Sequence, residues 1–200
     1  MKIIVVGATG TIGRSVVAAL SGRHEIVEVA RSSGEVRVDL ADPGSIKQMF
    51  GAVGGFDALV SAAGVARFGP LKDLTDEDYR IGLENKLMGQ VNLVRFGCEV
   101  IRDKGSFTLT SGVLSQEPTA GSSAISIVNA GIEAFVRAAA LELPRGIRIN
   151  AVSPIWVKET LKAMGRDSTV GLSAEETAIA YVESLEGQYN GQVLDVRQVG

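Results

Sequence analysis

Residues 2–13 read KIIVVGATGTIG, a short β-branched run that leads into a loop with glycines at positions 7, 10 and 13. The run predicts a buried strand, and the loop opens a helical pattern. In that setting the first glycine permits a tight turn, the second lets the backbone approach a pyrophosphate, and the third lets helix and strand pack closely. The amides and positive dipole at the start of the helix then favour phosphate. The stretch therefore predicts a dinucleotide-binding turn; the alternative is a turn with a structural role only.

The same alternation of strand and helix continues through the chain. Apolar, β-branched runs predict strands over 2–6, 25–30, 35–39, 57–61, 106–110, 147–153 and 192–196. Helical patterns predict helices over 12–21, 43–53, 75–102 with a break inside, 124–143 and 173–186, and an irregular stretch over 155–172. Pro43 and a capping box formed by Ser173 and Glu176 mark two of the helix starts. We predict an α/β fold with residues 1–200 as a single domain: a Rossmann-like, doubly wound, parallel seven-stranded sheet in three α/β/α layers.

Composition narrows the classes of function. The chain has 200 residues, 46% hydrophobic and 22% charged, and a net charge of −3, so no basic field draws it to nucleic acid or to an anionic membrane. One cysteine, Cys98, cannot form an internal disulfide, and one histidine, His24, has no partner at a spacing that suits a metal. The apolar run at the start is too short for a signal peptide or a membrane span. We expect a cytoplasmic protein with no metal site and no nucleic-acid or membrane partner.

The end of the second predicted strand indicates which dinucleotide is preferred. An acidic residue there would bind the ribose 2′-hydroxyl of NAD, but the chain reads VARSSGE over 29–35. Ala30 leaves room, Arg31 supplies a fork of donors that suits a phosphate, and Ser32 and Ser33 add hydroxyls. This pattern favours NADP(H) and leaves NAD(H) as a possibility. The alternative for Arg31 is a solvated loop cation.

Five segments together resemble the short-chain dehydrogenase/reductase family: GATGTIG (7–13), VDL (38–40), SAAG (61–64), SFTLTSG (106–112) and AAALELPRGIRINAVSP (138–154). The resemblance covers essentially the whole chain, although the middle glycine of the loop lies one place earlier than is usual in the family. It implies a Rossmann sheet that binds a nicotinamide cofactor and transfers hydride to a carbonyl or from an alcohol. The implied cofactor contacts, beyond Arg31, Ser32 and Ser33, are Gly7, Thr9, Gly10, Thr11, Ile12 and Gly13 of the loop, Asp39 and Leu40 at the adenine, Ser61, Ala62 and Gly64 at the ribose, and Thr110, Pro154, Ile155 and Val157 towards the nicotinamide.

The expected catalytic residues depart from the family pattern. The resemblance implies a Ser that orients the substrate oxygen, a Tyr that passes it a proton, a Lys four residues later and an Asn. Ser111 matches the first, but Ile125 occupies the Tyr position and Asn129 the Lys position. The spacing from Gly89 puts Lys86 at the Asn position, with Asn85 beside it. We hypothesise that Ser111 binds the carbonyl oxygen, Lys86 supplies the proton and Asn129 contacts the nicotinamide ribose. The alternative is that Lys86 reaches solvent or pairs with Glu84 or another carboxylate.

The sequence leaves two main functions open, beside a third possibility, a structural partner of another dehydrogenase in a mixed oligomer. The first is an NADP(H)-dependent oxidoreductase with a degenerate catalytic tetrad, acting on a small carbonyl or alcohol substrate. The second is a catalytically inactive NADP(H)-binding redox sensor or scaffold protein. The resemblance also implies a homodimer or homotetramer formed through the helices around 86–102 and 124–143, which carry more apolar residues than one sheet-facing stripe needs.

Overall fold

The computed structural model describes residues 1–33 and 36–199, and all of its strands lie in one sheet. The strands are β1 (Lys2–Val6), β2 (Glu25–Ala30), β3 (Val36–Arg37), β4 (Phe56–Ser61), β5 (Ile101–Thr110), β6 (Arg148–Ser153) and β7 (Val193–Asp195). Their order across the sheet is β3-β2-β1-β4-β5-β6-β7, and every pairing is parallel. The predicted seven-stranded, doubly wound sheet is thus confirmed. Because the order reverses between β1 and β4, a crevice opens at their carboxyl ends, where ligands of such sheets bind.

Helices cover both faces of the sheet. They are α1 (Thr11–Leu20), α2 (Pro43–Val53), α3 (Asp76–Gly82), α4 (Gly89–Gly97), α5 (Ser123–Glu142), α6 (Lys158–Ala163) and α7 (Ala174–Glu186), with a π-helical turn at Leu83–Met88 and a 3₁₀ turn at Val113–Ser115. Alternate residues of β1 enter opposite cores. Ile4 and Val6 pack with α2, α4 and α5, whereas Ile3 and Val5 pack with α1 and α7. These two cores make the three predicted layers.

The helix predicted over 75–102 differs from the observed structure in two ways. The chain has no break there: α3 passes through the π-helical turn directly into α4, which ends at Gly97. Residues 101 and 102 then belong to β5, which begins at Ile101, five residues before the predicted strand. Ile101 is buried and pairs with Phe56 of β4, and the register then shifts before Ala58 meets Ser106. Sheet pairing thus overrides the local helical pattern.

Other boundaries move by smaller amounts. In β3 only two residues are strand, and Glu35, the predicted first residue of that strand, lies outside the described residues. The stretch over 155–172, expected to be irregular, contains the short helix α6. Pro43 opens α2 as predicted, behind an Asp42 cap, and Ser173 and Glu176 form the predicted capping box of α7.

Helix α5 has an unusual composition for a surface helix. Within the described ranges, it is the one helix long and apolar enough to cross a bilayer. Its Ile132 and Val136 are fully buried in the core shared with α2 and α4, and Val128 is buried as well. Only 33% of the apolar stretch of α5 is buried, however, and its Ile127 and Leu141 are exposed, so burial accounts for one face of this helix and not for all of its apolar character.

Candidate active site

The glycine loop has the shape that its sequence predicts. Gly7 has a φ of +85°, a left-handed conformation that favours glycine, and its amide donates to the carbonyl of Val29 at 2.8 Å. A β-carbon on Gly13 would overlap the carbonyl oxygen of Gly7, so the third glycine lets α1 pack against the loop. Gly10 is the N-cap of α1 and offers no side chain to cap the first amides of the helix. Those amides can therefore bind an anion.

A first cleft of about 320 Å³ lies beside this loop, at the reversal of strand order. It is lined by Val6, Gly7, Thr9, Gly10, Ala30, Arg31, Val38, Asp39, Leu40, Ala62, Ala63, Gly64, Val65 and Asn85. The Arg31 side chain is 75% exposed, and its Nη2 lies 3.5 Å from Oδ2 of Asp39. An exposed guanidinium at the rim of the cleft can bind a phosphate. The ion pair with Asp39 that it would then give up is weak.

A second cleft of about 330 Å³ continues from the first, with Gly64 in the wall of both. It is lined by Ile12, Gly64, Lys86, Thr110, Ser111, Gly112, Val113, Leu114, Ile125, Asn129, Pro154, Ile155, Trp156 and Thr160. Half of these residues are aliphatic or aromatic, and two more are glycines. The indole of Trp156 meets the ring of Phe68 edge to face, with 6.4 Å between centroids, at one side of the cleft. The cleft suits a small, largely apolar molecule.

Among the described residues that line the second cleft, Lys86 has the one ionisable side chain. The residue is 8% exposed, and its Nζ donates to the Ser111 carbonyl at 2.9 Å and to Oδ1 of Asn129 at 2.7 Å. Both acceptors are neutral, and among the described residues no carboxylate lies within ion-pair distance of Nζ. Burial without a counter-charge lowers the pKa of Lys86 from 10.5 to about 8. The alternative that Lys86 reaches solvent or pairs with a carboxylate such as Glu84 is wrong.

Two glycines make room for this buried pair. A β-carbon on Gly64 would lie 2.6 Å from Cγ of Lys86, so the lysine stem passes over the bare backbone of that residue. A β-carbon on Gly112 would lie 2.8 Å from Nδ2 of Asn129, which donates to the Gly112 carbonyl at 3.2 Å. Both glycines have φ near +150°, at 146° and 151°. The loops after β4 and β5 are therefore shaped around the lysine and the amide.

The other polar groups near Lys86 are held in place by the sheet. The hydroxyl of Ser111, one residue past the end of β5, donates weakly to the Val152 carbonyl at 3.3 Å. The Thr110 hydroxyl donates to the Ser61 carbonyl at 2.5 Å and lies 2.6 Å from the hydroxyl of Tyr181. Tyr181 is fully buried below the cleft, and burial raises the pKa of its phenol far above the usual range. This phenol is thus poorly suited to give up a proton.

The structure brings most of the predicted residues to the two clefts. Thr11, Gly13, Ser32, Ser33, Ser61 and Val157 lie outside both linings. Ser61 is fully buried, and its hydroxyl has no hydrogen-bond partner among the described residues. Asn85, named from the sequence only as the neighbour of Lys86, lines the first cleft and accepts from the Val65 amide at 2.9 Å. Asn85 and Lys86 are adjacent in sequence but line different clefts.

Comparison with known proteins connects this arrangement to a class of enzymes. The family model described as enoyl-(acyl carrier protein) reductase matches residues 11–184. Carbonyl reductase [NADPH] 2 of Sus scrofa is 32% identical over 188 residues, which cover 84% of this chain and 75% of that protein. L-xylulose reductase of Bos taurus is 29% identical over 174 residues, covering 78% and 71%.

Solved structures of similar proteins extend over nearly the full length of the chain. The crystal structure of the protein lin1944 from Listeria innocua is 39% identical and superimposes with a TM-score of 0.94, covering 98% of this chain and 99% of that one. A small-chain dehydrogenase in complex with NADPH is 30% identical, with a TM-score of 0.89 and coverage of 98% and 95%.

Proposed function

Because this chain belongs to the short-chain dehydrogenase/reductase family, we propose that it is an NADP(H)-dependent oxidoreductase with an atypical catalytic site. Its substrate is a small carbonyl or alcohol compound that fits the apolar second cleft. The observation that carries the proposal is Lys86, whose buried ammonium lies 2.7 Å from the Asn129 amide in that cleft, where Ile125 leaves no phenol.

The first cleft fits a phosphorylated dinucleotide. Uncapped amides of α1 would hold the diphosphate, Asp39 and Leu40 would lie at the adenine, and Arg31 at the rim would bind a 2′-phosphate. The small-chain dehydrogenase that superimposes on the chain was solved with NADPH. NAD(H) remains the second choice, because Arg31 already has a partner in Asp39 and both cofactors share the rest of the cleft. When bound, the nicotinamide supplies or accepts the hydride.

Lys86 acts as the general acid in this proposal. With a pKa of about 8 the amine is largely protonated at neutral pH, and its proton is more easily released than that of an exposed lysine. Two of its three protons are committed to Ser111 and Asn129. The third is available to the oxygen of a carbonyl in the cleft, and Lys86 regains a proton from solvent between turnovers.

Ser111 and Asn129 position the reacting oxygen and the acid. The Ser111 hydroxyl has a hydrogen bond of 3.3 Å to Val152, long enough to be exchanged for a better one to a substrate oxygen. Asn129 uses both ends of its amide, accepting from Lys86 and donating to the Gly112 carbonyl, so it fixes the direction in which the ammonium points. Contact of Asn129 with the nicotinamide ribose stays a prediction.

The test is NADPH oxidation with a panel of small aldehydes and ketones. Parent protein, Lys86→Met and the exposed-site control Lys162→Met are compared after NADPH binding has been measured for each by calorimetry. We expect the control to match the parent and Lys86→Met to bind NADPH but to lose about 10²–10⁴-fold in kcat, the usual contribution of a positioned acid. Undiminished turnover by Lys86→Met would rule out its role.

The second function, an inactive NADP(H)-binding sensor or scaffold, is favoured by one observation, the aliphatic Ile125 in the position of the family's proton donor. It predicts tight NADPH binding with no turnover by the parent protein on any member of the panel. Assembly as a homodimer or homotetramer is supported by exposed apolar side chains on the predicted interface helices, such as Met88 and Ile127. A cytoplasmic location stays a prediction.

A further inference from the structure

A buried glutamine next to the π-helical turn makes contacts that the proposed chemistry does not yet use. Gln90, the second residue of α4, is 0% exposed. Its Nε2 donates to the backbone carbonyl of Lys86 at 3.2 Å, one turn earlier. The Gly89 amide bonds back to the Glu84 carbonyl, the five-residue spacing of a π-helix. A π-helical turn widens the helix and redirects the side chains within it, here that of Lys86.

The same amide also binds the end of a strand. The Thr110 amide donates to Oε1 of Gln90 at 2.8 Å, and Nε2 of Gln90 donates to the Thr110 carbonyl at 2.9 Å. One side chain thus satisfies both backbone groups of the last residue in β5. The next residue is Ser111, whose carbonyl accepts from the lysine ammonium. The fully buried amide of Gln90 therefore contacts both the backbone of Lys86 and the residue before Ser111, whose carbonyl accepts from the Lys86 ammonium.

We propose that Gln90 is a positioning residue, which holds the π-helical turn and the end of β5 in the one relative placement that puts the Lys86 ammonium between Ser111 and Asn129. The inference rests on the proposed function for its catalytic consequence, although the placement of Lys86 can be measured without turnover. Gln90 itself does not line either cleft, so it acts through Lys86.

If Gln90 had a structural role only, its replacement would lower stability without displacing Lys86. Deleting any buried amide leaves partners unsatisfied and lowers stability. Asn92 offers a matched control because it is also buried on α4, and its Oδ1 accepts from Nη1 of Arg95, away from both clefts. Asn92→Leu removes a buried amide from the same helix without touching Lys86 or Thr110. Gln90→Met has the length of the parent side chain and loses all three of the contacts described above.

Two readouts distinguish the roles. The first is the rate at which an amine-specific acylating reagent labels Lys86 in the cofactor-free protein across pH 6–11, followed by peptide mass spectrometry. The second is the pH profile of kcat with NADPH and the best carbonyl substrate. For Gln90→Met we expect the pH profile of Lys86 labelling to move upward, towards that of an internal surface lysine, because the displaced amine is no longer desolvated. We also expect about 10–10²-fold lower kcat, a typical effect of a misplaced catalytic group.

The control and a conservative variant complete the test. Asn92→Leu should label and turn over within about twofold of the parent even if its melting temperature falls. Should Gln90→Met not fold, Gln90→Glu retains the acceptor for the Thr110 amide and loses the donor to Lys86, and the same changes are expected in it. Parent-like labelling of Lys86 in a folded Gln90 variant would overturn the inference. Absence of turnover in the parent would overturn the proposed function instead and leave the labelling result standing.

Discussion

The buried amine of Lys86 makes a prediction about stability that requires no substrate. Its pKa is 10.5 in an exposed chain and about 8 in the folded protein. The unfolded chain therefore holds this proton to higher pH than the folded protein, so unfolding takes up a proton between those two values. The free energy of unfolding rises with pH across that window. Each tenfold change in the proton dissociation constant is worth about 1.4 kcal/mol, so the rise is about 3 kcal/mol.

Urea unfolding of the parent and Lys86→Met at half-unit steps from pH 7 to 11 measures this effect. Other titrating groups are common to both proteins, so their contributions cancel in the difference between the two unfolding free energies. We expect that difference to grow by about 3 kcal/mol in favour of the parent from pH 7 to 11. The surface control Lys162→Met should show a flat difference. If the curve for Lys86→Met is flat as well, Lys86 is not held in the folded protein as an uncompensated buried amine.

Three further predictions concern the two clefts and the glycine loop. Ile125→Tyr adds a phenol beside the buried amine, so NADPH-dependent carbonyl reduction should rise about tenfold or more; an unchanged or lower rate would contradict the proposed site of proton transfer. Arg31→Ala removes the guanidinium at the rim of the first cleft, and calorimetry should show NADPH binding weakened by about 10–10²-fold with NADH unaffected; equal weakening of both would exclude 2′-phosphate recognition. Gly13→Ala forces a methyl group into the loop carbonyl and should lower the free energy of unfolding by about 1–3 kcal/mol. Gly51→Ala, whose β-carbon meets nothing within 4 Å in α2, should raise it by about 0.5–1 kcal/mol, and similar losses in both would undo the packing explanation.

The architecture was largely predictable because strand and helix patterns alternate along the whole chain. The helical sequence pattern predicted the wrong element where a long-range contact determined the secondary structure. Val100 and Ile101 continue an apolar helical pattern, but Ile101 pairs with Phe56 in the sheet, so β5 begins there. The π-helical turn was equally hidden, because residues 83–88 have an ordinary helical composition and the widened turn depends on what Lys86 and Gln90 contact.

The sequence predicted which residues belong to the candidate site better than it predicted the hydrogen bonds between them. The resemblance to the family directs attention to Lys86 through its spacing from Gly89, and to Asn129 through the pattern of the predicted helix over 124–143. The sequence does not indicate that these two side chains bond each other across two helices, at 2.7 Å. Nor does it show that Gln90 joins the backbone of Lys86 to the end of β5, since its partners are backbone groups that carry no sequence signal.

Gly64 and Gly112 follow neighbouring strands, and each occupies a place where a β-carbon would collide with Lys86 or Asn129. A methyl group in either loop and the side chain opposite it are thus mutually exclusive occupants of one volume. A replacement in either loop therefore meets two obstacles, the side chain opposite it and a φ near +150° that side chains rarely adopt. Related chains are expected to keep both glycines wherever a long side chain passes over these loops.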